Sequence, residues 1–170
     1  MCVKDRKLRI ALAVFDLAGP LGSAIASLLR EGIPIGRLGL ILQAATAERL
    51  AADASRASPG DGASMLDLVR KLTPLSQAYE GRGILASPRL LEPWRSGSRL
   101  PALWGDAPSG GEAPRLAADL ERNVQDGAVI LAAETANARE QWLCTRLLLQ
   151  QSSSIVLALE CSLPPAAASG

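Results

Sequence analysis

Two stretches of this chain, Leu8 to Gln43 and Gly127 to Glu160, carry the same order of signals. Each has an apolar run, a turn, a helix-spaced stripe, a breaker and a second apolar run. A strand–helix–strand unit buries one helix stripe against a sheet, and its crossover is expected to be right-handed. In the first unit Leu8-Arg-Ile-Ala-Leu-Ala-Val-Phe15 reads as a strand. Asp16 offers a carboxylate to cap a turn or a helix start, and Pro20 suits a first helical turn. Leu21, Ala24, Ile25, Leu28 and Leu29 recur at helical spacing up to Arg30, and Gly32 is a C-terminal stop. Leu38-Gly-Leu-Ile-Leu42 is the second strand.

The second unit repeats the order. Asp126-Gly127 is a turn, Ala128-Val-Ile-Leu-Ala-Ala133 a strand, and Thr135 or Asn137 caps a helix running to about Gln150. Ala138, Trp142, Thr145 and Leu149 form one stripe of that helix, with Leu143, Leu147 and Leu148 beside it. Ser152-Ser-Ser154 breaks it, and Ile155-Val-Leu-Ala-Leu159 is the last strand. The predicted class is therefore α+β: a ferredoxin-like, four-stranded antiparallel sheet from two βαβ units, with both helices on one face.

The size, 170 residues, fits a single domain over the whole chain. Residues 8–43 and 127–160 are its two βαβ units, 44–126 an insertion, and 161–170, rich in Pro and Ala, an expected disordered tail. Within the insertion, Ala44 to Arg56 predicts a helix, and Met65, Leu68, Val69 and Leu72 predict another ending near Pro74. Leu85 to Ala113, with four prolines and two tryptophans, reads as an irregular loop or lid, and Arg115 to Val124 as a short helix.

The strands lack the apolar–polar alternation of a half-exposed antiparallel sheet. Leu12, Val14, Leu40, Leu42, Val129, Leu131, Val156 and Leu157 sit among Ala, Ile and Gly. Both sheet faces are apolar, and the two unit helices cover one. The expectation is that the insertion helices cover part of the second face and that a homodimer or protein partner covers the rest, through an open sheet face.

Composition removes several chemistries. The chain has no histidine, which excludes a serine–histidine–carboxylate triad, imidazole acid–base catalysis and histidine-ligated metal. Its three cysteines, Cys2, Cys144 and Cys161, form no CxxC pair, so neither a disulfide framework nor a zinc site is expected. Cys144 reads as a small core hydrophobe. A formal net charge of +1 gives no field to attract a phosphate backbone. No apolar run reaches the roughly 20 residues that span a bilayer. Nucleic-acid and membrane partners are not expected, and a cytoplasmic location is.

Two regions invite a ligand reading. Asp16-Leu-Ala-Gly19-Pro-Leu-Gly22-Ser23 follows a strand and opens a helix, like the glycine turns that bring backbone amides to a pyrophosphate. Asp16 stands where such a turn needs its first glycine, and its carboxylate repels phosphate. The next strand ends at Gln43, where a ribose-binding acid belongs, and Tyr79 has Gly83 four residues on instead of a lysine. A helix cap plus a turn explains the same residues. The second region is Trp94, Arg95 and Trp104, with Arg89 and Arg99, a possible cation–π or anion-binding surface or interface anchor. The simpler account is a proline-rich loop pinned by its tryptophans. Asp16, Gly19, Gly22, Ser23, Trp94, Arg95 and Trp104 are thus the candidate ligand-binding residues, with no catalytic set, metal or cofactor implied. Asp119, Glu121 and Asp126 read as solvated surface, and Glu134 and Glu140 as helix-start charges suited to the dipole.

Certain runs carry a family likeness: Ala11-Leu-Ala-Val-Phe-Asp16, Leu28-Leu-Arg-Glu-Gly-Ile33 with Leu38-Gly-Leu-Ile41, and Leu120-Glu-Arg-Asn-Val-Gln-Asp-Gly127 with Ala128-Val-Ile-Leu131. In these the chain resembles the bacterial general stress proteins, also called heat-induced stress proteins. The resemblance covers the two terminal units. It departs in the middle, where that family often has a glycine-rich apolar segment, and at Thr135-Ala-Asn-Ala, where it commonly has aspartates. It implies a stress-associated protein and supplies no catalytic residue. The function expected is non-enzymatic, by self-association or partner binding. The alternatives are a small-molecule-sensing regulatory domain or a nucleotide-dependent enzyme using the glycine turn.

Overall fold

The computed structural model describes residues 6–16, 18–56, 63–71, 73–74, 84–86, 119–120, 122–151 and 153–163. Strand β1 (Arg6–Phe15) leads to helix α1 (Ala18–Arg30), a 3-10 turn (Ile35–Arg37) and strand β2 (Leu38–Gln43). Helices α2 (Ala44–Arg56) and α3 (Ala63–Arg70) follow, then two short strands, β3 (Thr73–Pro74) and β4 (Ile84–Ala86). Helical residues 119–120 and 122–125 precede strand β5 (Val129–Thr135), helix α4 (Ala138–Leu149) and strand β6 (Ile155–Leu163).

All strand pairings are antiparallel, and the sheet order is β3-β4-β2-β5-β1-β6. The molecule is α+β, with four long strands widened to six by β3 and β4, where the sequence predicted four. The extra pair comes from the insertion: Ile84 to Ala86 lie opposite Gln43 to Ile41. The strands of one terminal unit do not pair with each other. β5 lies between β1 and β2, and β1 lies between β5 and β6. The opening and closing segments are thereby interleaved by backbone hydrogen bonds across the whole chain.

Local chemistry explains the boundaries. Gly32 and Gly127 have φ of +90° and +97°, a region where a Cβ is costly. Both close a helix in the same way. Ile33 N–H donates to the Leu28 carbonyl (3.1 Å) and Gly32 N–H to that of Leu29 (3.0 Å). Ala128 N–H donates to Asn123 (2.9 Å) and Gly127 N–H to Val124 (3.0 Å). These paired bonds satisfy carbonyls a helix end would otherwise leave open. Ile33, just past the first stop, is buried, as is Leu28. At the start of α4, Asn137 is the cap and its side chain accepts from Glu140 N–H at 2.9 Å. Thr135, the other candidate cap, instead belongs to β5 and donates to the Arg9 carbonyl at 3.1 Å.

Among the described residues the core is aliphatic apart from Phe15. One face of the sheet presents Ala11, Ala13, Phe15, Leu40, Leu42, Val129 and Leu131 to Leu21, Ile25 and Leu28 of α1 and Cys144 and Leu148 of α4. Ala47 and Leu50 of α2 and Met65 and Leu68 of α3 join the same cluster. The insertion helices therefore lie on the face the unit helices already occupy, contrary to the expectation that they cover the second. β2 runs into α2 without a connecting loop, which returns the chain to that side.

The second face is buried as well. Ile10, Leu12, Val14, Ile41, Ile130 and Ala132, which alternate with the residues above, are no more than 3% exposed. The open sheet face expected as a docking surface is thus absent from the described strands. The tail boundary also moves. Residues 161–163 belong to β6, because β1 begins at Arg6 and offers Leu163 a partner there. Residues 164–170, most of the segment Leu85 to Ala113 and Arg115 to Ala118 lie outside the described residues.

Candidate functional site: the outer flank of α4 and β6

The glycine turn gives little support to a phosphate cradle. Asp16 is exposed in a bend after β1, Gly19 and Ser23 are exposed and Gly22 is half-buried, the last three inside α1. Neither Gly19 nor Gly22 has positive φ, and a Cβ built on either meets nothing within 4 Å. Among the described residues no turn and no close approach demands these glycines. Trp94, Arg95 and Trp104 lie outside the described residues. Among the described residues no group of three or more Cys, Asp or Glu is arranged to hold a metal, and no helix is long and apolar enough to cross a membrane.

The carboxylates do structural work. Glu140 Oε2 accepts from Arg37 Nη1 at 3.0 Å and also from the Ala136 backbone N–H. With the Asn137 cap this ties the start of α4 to the entry of β2. Asp119 lies 3.9 Å from Arg122 on an exposed helical turn, and Asp126 is exposed, as solvated surface groups should be. Glu121 lies outside the described residues. Gln141 is a clamp: its Nε2 donates to the carbonyls of Ile10 (3.1 Å) and Leu159 (2.8 Å), which lie opposite each other in β1 and β6. Cys144 is fully buried, and its pKa is pushed up to about 11, first by burial and then by the Glu140 charge, against a lowering pull from Arg37. A thiol held protonated this far above neutrality is a poor nucleophile.

The exposed groups that ask for an explanation are elsewhere on α4. Its buried stripe is Cys144 and Leu148, with Gln141 half-buried beside them. Trp142 and Leu149, which the sequence placed on one stripe with Ala138 and Thr145, are instead 61% and 65% exposed. They are the large hydrophobic side chains exposed among the described residues. The Arg146 guanidinium stands over the Trp142 ring, 5.4 Å from its centroid.

Helix geometry fixes which way this stripe points. Glu140 reaches toward Arg37 at the start of β2, and so marks the inner flank of α4. At about 100° per residue, Trp142 and Leu149 project roughly opposite to Glu140. They lie on the outer flank, the side on which β6 ends the sheet. β6 has nine residues, Ile-Val-Leu-Ala-Leu-Glu-Cys-Ser-Leu, with Glu160 as its one charge. Sheet edges are usually protected by Lys, Pro or short length. Residues 155–163 of β6 include no Lys or Pro and the strand is long, and Glu160 is engaged by Arg9 at 3.4 Å.

The sequence signal that marks this flank is phase. Trp142, Arg146 and Leu149 fall at i, i+4 and i+7, offset from the Cys144–Leu148 stripe. Compared with family models, with curated proteins and with solved structures, the chain matches none.

Proposed function

We propose that this chain is a non-enzymatic association domain, built on a ferredoxin-like core that β3 and β4 widen, and that it makes its contact through the outer flank of α4 and β6. The observation that carries the reading is the exposed Trp142–Arg146–Leu149 stripe. Trp and Arg are the residues most enriched among interface hot spots, and a tryptophan stacked by arginine arrives at an interface already ordered. Covering the apolar area these side chains leave in water, about 250 Å², offers about 6 kcal/mol before ordering costs. β6, the outermost strand of the sheet, places an edge on the same flank, where a free edge offers backbone donors and acceptors. A stress-associated setting is what the resemblance of the terminal units suggests.

Native mass spectrometry of the protein recovered from its source tests this directly. The wild type is expected in an assembled species that a Trp142→Ser/Leu149→Ser variant does not form, with the variant's circular dichroism unchanged. A monomer in both samples, or the same assembly in both, contradicts the reading.

A further inference from the structure

We propose that the occupant of the α4 stripe is an acidic, partly apolar segment of another protein, held by Arg139 and Arg146 on either side of Trp142. The inference names the partner's chemistry and rests on the association reading. Arg139, Trp142, Arg146 and Leu149 are all exposed on α4. At about 100° per residue they fall within about a quarter of the helix circumference, opposite buried Cys144 and Leu148. The stripe carries two positive charges and no negative one. Glu140, the one acid of α4, reaches Arg37 instead, and Glu160 on the neighbouring strand is engaged by Arg9. Among the described residues neither Arg139 nor Arg146 has a carboxylate partner.

Arg139 stands in the first turn of α4, where the helix dipole favours an acid and disfavours a cation. Helix stability therefore does not account for it, and a carboxylate brought from outside would answer both the cation and the dipole. Arg146 lies over the Trp142 ring, which orients the guanidinium plane and leaves its N–H groups to a carboxylate. The two arginines are about 10 Å apart along the helix axis. A segment that fits presents two carboxylates at that spacing, with apolar side chains to cover Trp142 and Leu149. A phosphate backbone matches the arginines but leaves Leu149 unmatched, and a net charge of +1 gives no wider field toward it. An anionic bilayer needs a broad apolar helix face, whereas Cys144 and Leu148 of α4 are committed to the sheet.

A displayed random-peptide library selected on the purified full chain reads this chemistry directly. Enriched peptides are expected to combine Asp or Glu with Leu, Phe or Trp, and to bind an Arg139→Gln/Arg146→Gln variant about tenfold more weakly. Arg139→Glu/Arg146→Glu is expected to turn the selection toward basic apolar peptides, a change that loss of structure does not produce. No enrichment, enrichment without carboxylates, or affinity unchanged by the glutamines overturns the proposal. So does tighter binding of the wild type to phosphatidylserine vesicles or to duplex DNA than to the enriched peptides. Should the variants fail to fold, the salt dependence of wild-type binding decides. Affinity for an enriched peptide that falls as NaCl rises from about 50 to about 500 mM supports the charge pairing, and affinity that does not change overturns it. Neutral enriched peptides alongside a Trp142-dependent assembly in the source would sink the acidic partner and leave the association reading standing.

Discussion

Gly22 and Gly32 lie ten positions apart at one helix, yet alanine should act on them in opposite directions. Gly22 is inside α1 with negative φ, and a Cβ there meets nothing within 4 Å. Alanine therefore gains helix propensity at no steric cost, and Gly22→Ala should stabilise by about 0.5–1 kcal/mol. Gly32 has φ of +90° at the helix stop, although its Cβ would likewise meet nothing. Gly32→Ala must hold alanine in the left-handed region, which costs about 1–2 kcal/mol. For a domain of this size 1 kcal/mol moves Tm by about 2–4 °C. Thermal and urea unfolding should place the two variants on either side of wild type, separated by about 2 kcal/mol. A destabilising Gly22→Ala would refute the argument, since something would then have to occupy the space beside Gly22. The same variant also bears on the nucleotide reading, which needs a bare backbone at that position.

Three further outcomes follow from bonds at α4. Glu140→Ala removes the acceptor of both Arg37 and the Ala136 N–H and should cost about 1–2 kcal/mol in urea unfolding, with Arg37→Ala costing less. Gln141→Leu cuts the clamp between β1 and β6, so amide exchange should quicken in the middle of both strands, near Ile10 and Leu159, more than at Ile130. Above pH 9 the unfolded chain releases the Cys144 proton while the folded chain holds it to about pH 11. The folded state then binds more protons, so stability falls as pH rises through this window, by about 2–3 kcal/mol relative to a Cys144→Ala variant measured alongside. Parallel pH curves for the two proteins would contradict the burial of this thiol.

Element identity was legible in the sequence wherever periodicity and a stop signal agreed. The apolar run ending at Phe15, the helix ended by Gly32 and the helix from Ala44 to Arg56 are all found where residue spacing puts them. The short strand at Ile84–Ala86 was not legible, because three residues carry too little pattern and their order comes from pairing with Gln43 to Ile41. The side of the sheet that α2 and α3 take is likewise a tertiary fact: nothing in Leu50 or Met65 says which face they meet. Trp142 shows the limit most clearly. The sequence put it on one stripe with Ala138, Thr145 and Leu149 and did not say which stripe is buried, whereas in α4 Gln141 reaches two strand carbonyls, Glu140 reaches Arg37, and Cys144 and Leu148 are the buried residues. The buried face carries apolar Cys144 and Leu148 together with these polar bonds to distant residues, which a sequence pattern does not display. Of the residues first considered for a ligand, Gly19 and Gly22 are explained by nothing in their own packing, and Ser23 is exposed on α1.

The account stands on β1 lying between β5 and β6, because that arrangement leaves β6 at the edge and sets α4 above it. Nuclear Overhauser contacts in an isotopically labelled sample measure it directly. The expected spectrum shows backbone contacts from Leu12 to both Ala132 and Leu157, and from Gly39 to Ala132. Contacts from Leu12 to Gly39 in place of Leu12 to Ala132 would mean that each unit keeps its own strands side by side, and the outer flank described here would not exist.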